Sequence, residues 1–152
     1  MIVVMKLGVV QQVGKPQDIY DSPTNLFVAK FLGTPPINVF TGRVENEMLY
    51  LGDSAVLSVK GVADCNVTVG IRPEGFIVDE NGALECNLSN IEVMGRDVSV
   101  VSTHSASVNP IVRSIIDADD TPKAAATVRF ALKPHKVFLF NAETEERIYF
   151  EV

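Results

Sequence analysis

From Asn38 to Val152 the chain is broken into short runs of β-branched and aromatic residues, and that punctuation restricts its folds more than any other feature. The runs are VFTGRVE, MLYLG, AVLSV, NVTVGIRP, FIVDENG, ALECNLSNIEVMG, DVSVVSTH, PIVRSII, ATVRFALKP, KVFLFN and RIYFEV, separated by turn residues. Many short strands at this spacing predict a small barrel or sandwich. Within TVRFALKP, Val128, Phe130 and Leu132 fall on one face and Thr127, Arg129 and Ala131 on the other. A half-buried strand has that alternation. DADDTPKAAA, acidic and holding a proline, reads as an exposed connection with at most a helical turn around Ala124–Ala126.

The first 36 residues read differently. IVVMKLGVVQQV places two β-branched runs around Lys6-Leu7-Gly8, a hairpin in which Gly8 supplies the positive φ of the turn. Pro16 suits the first turn of a short helix, and Ser22-Pro23 reads as an N-cap followed by Pro at the first position of a second helix. Leu26, Phe27, Phe31 and Leu32 recur at helical spacing, and Gly33 before Pro35-Pro36 is a stop signal. The pair Phe27 and Phe31, at i and i+4, is expected to dock that helix against the core. The organisation expected is therefore a hairpin over 1–13, a helical linker over 14–36 and a β-rich body over 37–152.

Composition removes several classes of function. With 152 residues, 47% of them hydrophobic, the chain can bury an ordinary core. A net charge of −6 with scattered Lys and Arg argues against nucleic acid, which needs a basic face to release counterions. Cys65 and Cys86 have no Cys or His neighbour at ligand spacing, so reduced, buried thiols are expected and a zinc site is not. Met1–Val13 is interrupted by Lys6, Gln11 and Gln12, which fits neither a membrane span nor a signal peptide and leaves a cytoplasmic protein as the expectation. No Gly-x-x-x-x-Gly-Lys-Ser/Thr occurs, so nucleotide hydrolysis by this chain alone is not expected. His104 beside Ser105 in STHSAS is a possible nucleophile pair without a third member, His135 follows Pro134 as a turn residue, and Asp117, Asp119 and Asp120 form a solvated acidic loop.

One polar triplet stands out in an apolar setting, Arg72-Pro73-Glu74 within VTVGIRPEGFIV. Pro73 fixes φ and removes a backbone donor, so the triplet should end one strand and turn the chain. Arg72 and Glu74 are then available for charge-assisted hydrogen bonds, either as a local ion pair or as an interface corner.

Longer motifs resemble a known family. GVVQQVGKPQDIYDSPTNLFVAKFLGTPPINVF is similar to the segment after the nucleotide-binding domain in ATPase subunits of bacterial ABC sugar importers of the maltose and glycerol-phosphate type. Gly8, Gln12, Gly14, Pro16, Tyr20, Pro23, Phe27, Val28, Ala29, Phe31, Gly33, Pro35 and Asn38 fall on that pattern. VGIRPEGF resembles the Gly-x-Arg-Pro-Glu of the family's C-terminal TOBE (transport-associated OB) region, IEVMGRD its Val-Glu-x-Leu-Gly-x-Glu, and FNAETEERI its closing motif. Glu145 stands where the family usually has Gly, Ile37 where it has Met, and Gly75 where a polar residue is more usual.

The resemblance implies a mainly β, OB-like TOBE barrel behind a remnant hairpin and two short helices. It implies a non-catalytic regulatory and dimerisation region, with ATP and Mg held by an ATPase domain outside this chain, so that the chain is a piece of a longer subunit. Expected partners are a second copy, the ATPase domain, the permease subunits and a regulatory protein, at the inner face of the membrane and for carbohydrate import. Arg72, Pro73, Glu74, Glu92 and Gly95 are the expected interface or regulatory residues. An oxyanion-sensing module using the hydroxyls of STHSAS is the alternative, and a hydrolase built on His104 and Ser105 a third. The hairpin, with open apolar edges, is expected to favour self-association.

Overall fold

A computed structural model describes residues 1–123 and 125–152. The lead-in consists of strands β1 (Ile2–Lys6) and β2 (Val9–Gly14), then helices α1 (Pro16–Asp21) and α2 (Leu26–Phe31). The hairpin turns through Leu7 and Gly8, both at positive φ (49° and 80°), the pattern of a type I′ turn. Pro16 opens α1 as the sequence suggests. The cap of α2 differs: Asn25, not Ser22, caps it, with Oδ1 accepting from the Val28 N–H at 2.9 Å. Ser22 instead closes α1, and Pro23 lies in the connection, where its carbonyl is held by Arg147.

The face of α2 also differs from the expectation. Leu26, Val28 and Ala29 are buried, whereas Phe31 is 57% exposed and Phe27 only half-buried. The six-residue helix receives neighbours on two sides, the hairpin at Val28 and the β body at Leu26 and Ala29, and this turns the aromatic pair outward. Phe27 and Phe31 stack on each other instead, with ring centres 6.3 Å apart. Phe27 still contributes to a small cluster with Val4, Ile19 and Val28, so the docking role falls on the aliphatic residues.

Among the described residues the β body contains eleven strands, one for each run read from the sequence: β3 (Asn38–Glu45), β4 (Met48–Leu51), β5 (Ser54–Ser58), β6 (Cys65–Ile71), β7 (Phe76–Val78), β8 (Leu84–Met94), β9 (Asp97–Thr103), β10 (Val112–Asp117), β11 (Thr127–Leu132), β12 (Val137–Asn141) and β13 (Arg147–Ile148). They form a six-stranded sheet in the order β13-β12-β6-β3-β4-β5 and a five-stranded one in the order β10-β9-β8-β11-β7. Every pairing is antiparallel. In the five-stranded sheet the end strands β10 and β7 lie against each other, so the sheet is a nearly closed barrel, the OB-like mainly β fold expected. Near closure hides the strand edges that an open sheet would expose.

One large apolar core joins the two sheets, from Phe40, Leu49, Leu51, Val69 and Ile71 on one side to Leu84, Val100, Val112 and Phe130 on the other. On β11, Val128, Phe130 and Leu132 face inward as the alternation predicts. Cys86 is buried in this core, but Cys65 is exposed at the outer start of β6, where the sheet runs out into solvent; both are free thiols. The helical turn read around Ala124 begins on a residue outside those described. Among the described residues no helix is long and apolar enough to cross a membrane.

Candidate functional site

Where β6 ends, Pro73 fixes a single 3-10 turn, Pro73–Gly75, and the chain re-enters the sheet as β7. The turn is the predicted corner, but Arg72 is fully buried rather than displayed. Its Nη1 donates to the carbonyls of Ala29 (2.8 Å) and Leu32 (2.9 Å), and its Nη2 to that of Tyr20 (2.9 Å). Those carbonyls lie at the C-terminal ends of α2 and α1, where no intrahelical donor remains and where the dipole favours a cation. One planar guanidinium thus closes both helices, which a point-charge ammonium does poorly.

Aromatic rings enclose the guanidinium. The Tyr20 ring lies 4.0 Å from its centre and the Phe138 ring 5.5 Å. Gly33, at φ +117°, passes so close that a Cβ there would sit 3.2 Å from Tyr20 and 3.5 Å from Arg72 Nη1. Burial pulls the guanidinium pKa below its ordinary value, opposed by Tyr20, Glu74 and Asp21. No local ion pair with Arg72 holds Glu74; its carboxylate accepts from the Tyr20 hydroxyl and lies 3.6 Å from Lys136 Nζ. Burial opposes the charge on Glu74, but the Tyr20 hydroxyl, its own backbone N–H, Lys136 and Arg72 outweigh it and hold the carboxyl below the usual range. Tyr20 is pushed the other way, by burial first and then by Glu74.

Glu92 and Gly95 belong to the β8–β9 hairpin. Gly95 takes φ +77° at the first turn position, where a side chain would be strained. Glu92 is 3.5 Å from Arg113 of β10, whose Nη1 also donates to Ser99 Oγ at 2.8 Å. Two residues on, Ile115 projects from the same face of β10 into a small cleft with Tyr20, Thr34, Pro35, Pro73 and Glu74. The outer face of β10 therefore connects the two predicted groups, with Glu74 at one end and Glu92 at the other. Gly95 lies beyond them at the exposed turn, with open space around its Cα. Asn38 fastens β10 to the larger sheet, donating to the carbonyls of Ile71 (3.2 Å) and Arg113 (2.9 Å) and accepting from the Arg113 N–H (2.9 Å).

A second, half-buried cation escaped sequence reasoning. Arg147 donates from Nη1 to the Pro23 carbonyl at 3.0 Å and lies between the rings of Phe138 (4.7 Å) and Tyr149 (4.6 Å). Its neighbour Glu145 accepts from the Leu26 N–H through its carbonyl at 3.0 Å. The only signal available was its place in the closing FNAETEERI motif.

The remaining chemical candidates do not assemble. His104 Nδ1 accepts from the Ala106 N–H at 3.0 Å and its ring meets Phe40 edge-on, so it serves a local turn and not Ser105. Burial lowers its pKa. Ser107 donates to the Asn109 carbonyl while Ser105 is exposed, so the STHSAS hydroxyls do not converge. Among the described residues no cluster of His, Cys, Asp and Glu has metal-binding geometry.

No protein-family model matches the chain. It is 30% identical over 147 residues to the sn-glycerol-3-phosphate import ATP-binding protein UgpC of Ruegeria sp. (strain TM1040), a match spanning 97% of this chain and 42% of that protein. UgpC of Escherichia coli (strain K12) is 31% identical over 155 residues, spanning 97% and 43% respectively. The oligosaccharides import ATP-binding protein MsmX of Bacillus subtilis (strain 168) is 32% identical over 163 residues, spanning 97% and 44%. The chain spans less than half the length of the curated relatives it matches. Matched almost end to end and folded as an OB-like β body, this chain corresponds to the C-terminal region of these import ATP-binding proteins.

Proposed function

We propose that this chain is the TOBE-type regulatory and dimerisation region of the ATP-binding subunit of an ABC importer for carbohydrate, working at the cytoplasmic face of the membrane. It carries out no catalysis itself. ATP and Mg belong to the remainder of the subunit, and the permease subunits and a regulatory protein are its further partners. The observation that carries this reading is similarity along 97% of the chain to proteins named for import and ATP binding. The transported molecule is not contacted by this region, so substrate choice lies in other subunits.

The surface offered to a partner is the outer face of β10 with the β8–β9 hairpin, where Val93 is 77% and Met94 53% exposed beside Glu92. Arg72 is withdrawn from that surface because it is fully buried; Glu74 and Glu92 remain at its two ends. Light scattering over a wide dilution series tests the reading. The parent should shift from monomer to dimer with concentration, and Glu92→Lys combined with Val93→Asp should stay monomeric. A parent that is monomeric throughout, or a variant that dimerises as well as the parent, would count against this surface.

A further inference from the structure

The lead-in has a core of its own. Val4, Ile19 and Val28 are buried together with Ile2, Phe27 and Leu32 around them, and no residue before Phe40 belongs to the large core of the β body. What joins the two is a thin apolar contact and a set of polar pins. The apolar part is Leu26 and Ala29 against Ile37, Val39, Phe138 and Phe140. The polar part is Arg72 to three carbonyls, the Tyr20 hydroxyl to Glu74, Arg147 to Pro23, and two backbone bonds, Leu26 N–H to Glu145 and Arg147 N–H to Thr24.

We propose that residues 1–32 form one docking unit that detaches from the β body as a piece, with Arg72 as its latch. Cooperative local openings follow contiguous units that carry their own packing, and the unit with the fewest shared apolar contacts opens first. Arg72 is rooted in the β body but makes its side-chain bonds to helix ends, so release of the lead-in strips three hydrogen bonds from a buried charge at once. A latch of this composition is all-or-none: losing the α1 carbonyl and the Tyr20 ring while keeping the two carbonyls at the end of α2 leaves a half-solvated guanidinium beside Phe138. Detachment also uncovers Ile37, Val39, Phe138 and Phe140, an apolar face that is otherwise closed.

Native-state hydrogen exchange tests this on the 152-residue chain. Amides of β1, β2, α1 and α2 are expected to share one opening that is faster than that of β8 and β9. Arg72→Met should accelerate exchange across the lead-in by on the order of 100-fold while leaving β8 and β9 within about twofold of the parent. Arg147→Met should act in the same direction more weakly, because one side-chain bond is lost instead of three. Arg129→Met, which removes bonds to Gly82 and Glu85 within the barrel, should leave the lead-in unchanged. Exchange of the lead-in and of β8 and β9 through a single common opening in the parent would overturn the proposal. So would an Arg72→Met chain in which the β body is unprotected as well, including one that fails to fold.

Discussion

At Glu145 the backbone adopts φ +65°, a left-handed conformation at the position where the resembling motif carries Gly. The residue follows an Asn141 turn, in which Oδ1 accepts from the N–H groups of Glu143 and Thr144. Glu145→Gly should therefore stabilise the protein by about 0.5–1 kcal/mol, read as a higher midpoint in urea. Two titrations follow from single residues. The Glu74 carboxyl has a folded-state pKa below its ordinary value, so its contribution is complete above the unfolded value of about 4.3 and is lost as pH falls through the folded one. Glu74→Gln should flatten that acid limb of the stability curve. His104 is also depressed, by burial, and the neutral ring is the one the fold accepts. Its contribution is complete above about 6.5 and is lost as pH falls below that, a dependence that His104→Asn should remove while retaining an acceptor for the Ala106 N–H. Sequence alone made the Arg72-Pro73-Glu74 corner legible, because Pro73 leaves few backbone choices. It could not reveal that the guanidinium satisfies carbonyls 40 to 52 residues away, since no local pattern marks which helix end lacks a donor.

Period-two alternation identifies a strand wherever one face is buried, which is why each apolar run after Asn38 corresponds to a strand. A six-residue helix offers fewer than two turns, and there spacing is ambiguous about which side is inside. In α2 two neighbours compete for the helix, and the small or aliphatic residues Val28, Ala29 and Leu26 take the buried positions. Leu26→Ala should then cost about 2–4 kcal/mol, whereas Phe31→Ala should stay within about 0.5 kcal/mol, both measured by chemical denaturation. A comparable cost for the two would mean that the aromatic face is also packed. The connection between β7 and β8 admits a sharper test. A Cβ at Gly82 would stand 2.4 Å from the backbone C and O of Phe130, so Gly82→Ala must displace β11 and should weaken the barrel more than any exposed alanine substitution on the same sheet.

For the whole molecule, strand count and order of appearance were readable, but which strands share a sheet was not. That partition depends on contacts such as β10 against β7 and on the two-way hydrogen bonding of Asn38, all remote in sequence. The lead-in hairpin was legible from its two β-branched runs, and the structure adds which side it leaves open, with Val3, Met5, Val10 and Val13 all about half exposed on its outer side. If this hairpin drives self-association, Val10→Lys with Val13→Lys should lower the mass seen by light scattering at high concentration; an unchanged mass assigns association elsewhere. The two thiols, one open and one enclosed, give the molecule a chemical clock. Cys65 is exposed and open to an alkylating reagent, while Cys86 is both 1% exposed and raised by burial to a pKa of about 11. A second label on the same chain therefore records the barrel having opened, and a brief pulse followed by mass spectrometry sorts molecules into those that stayed shut and those that did not.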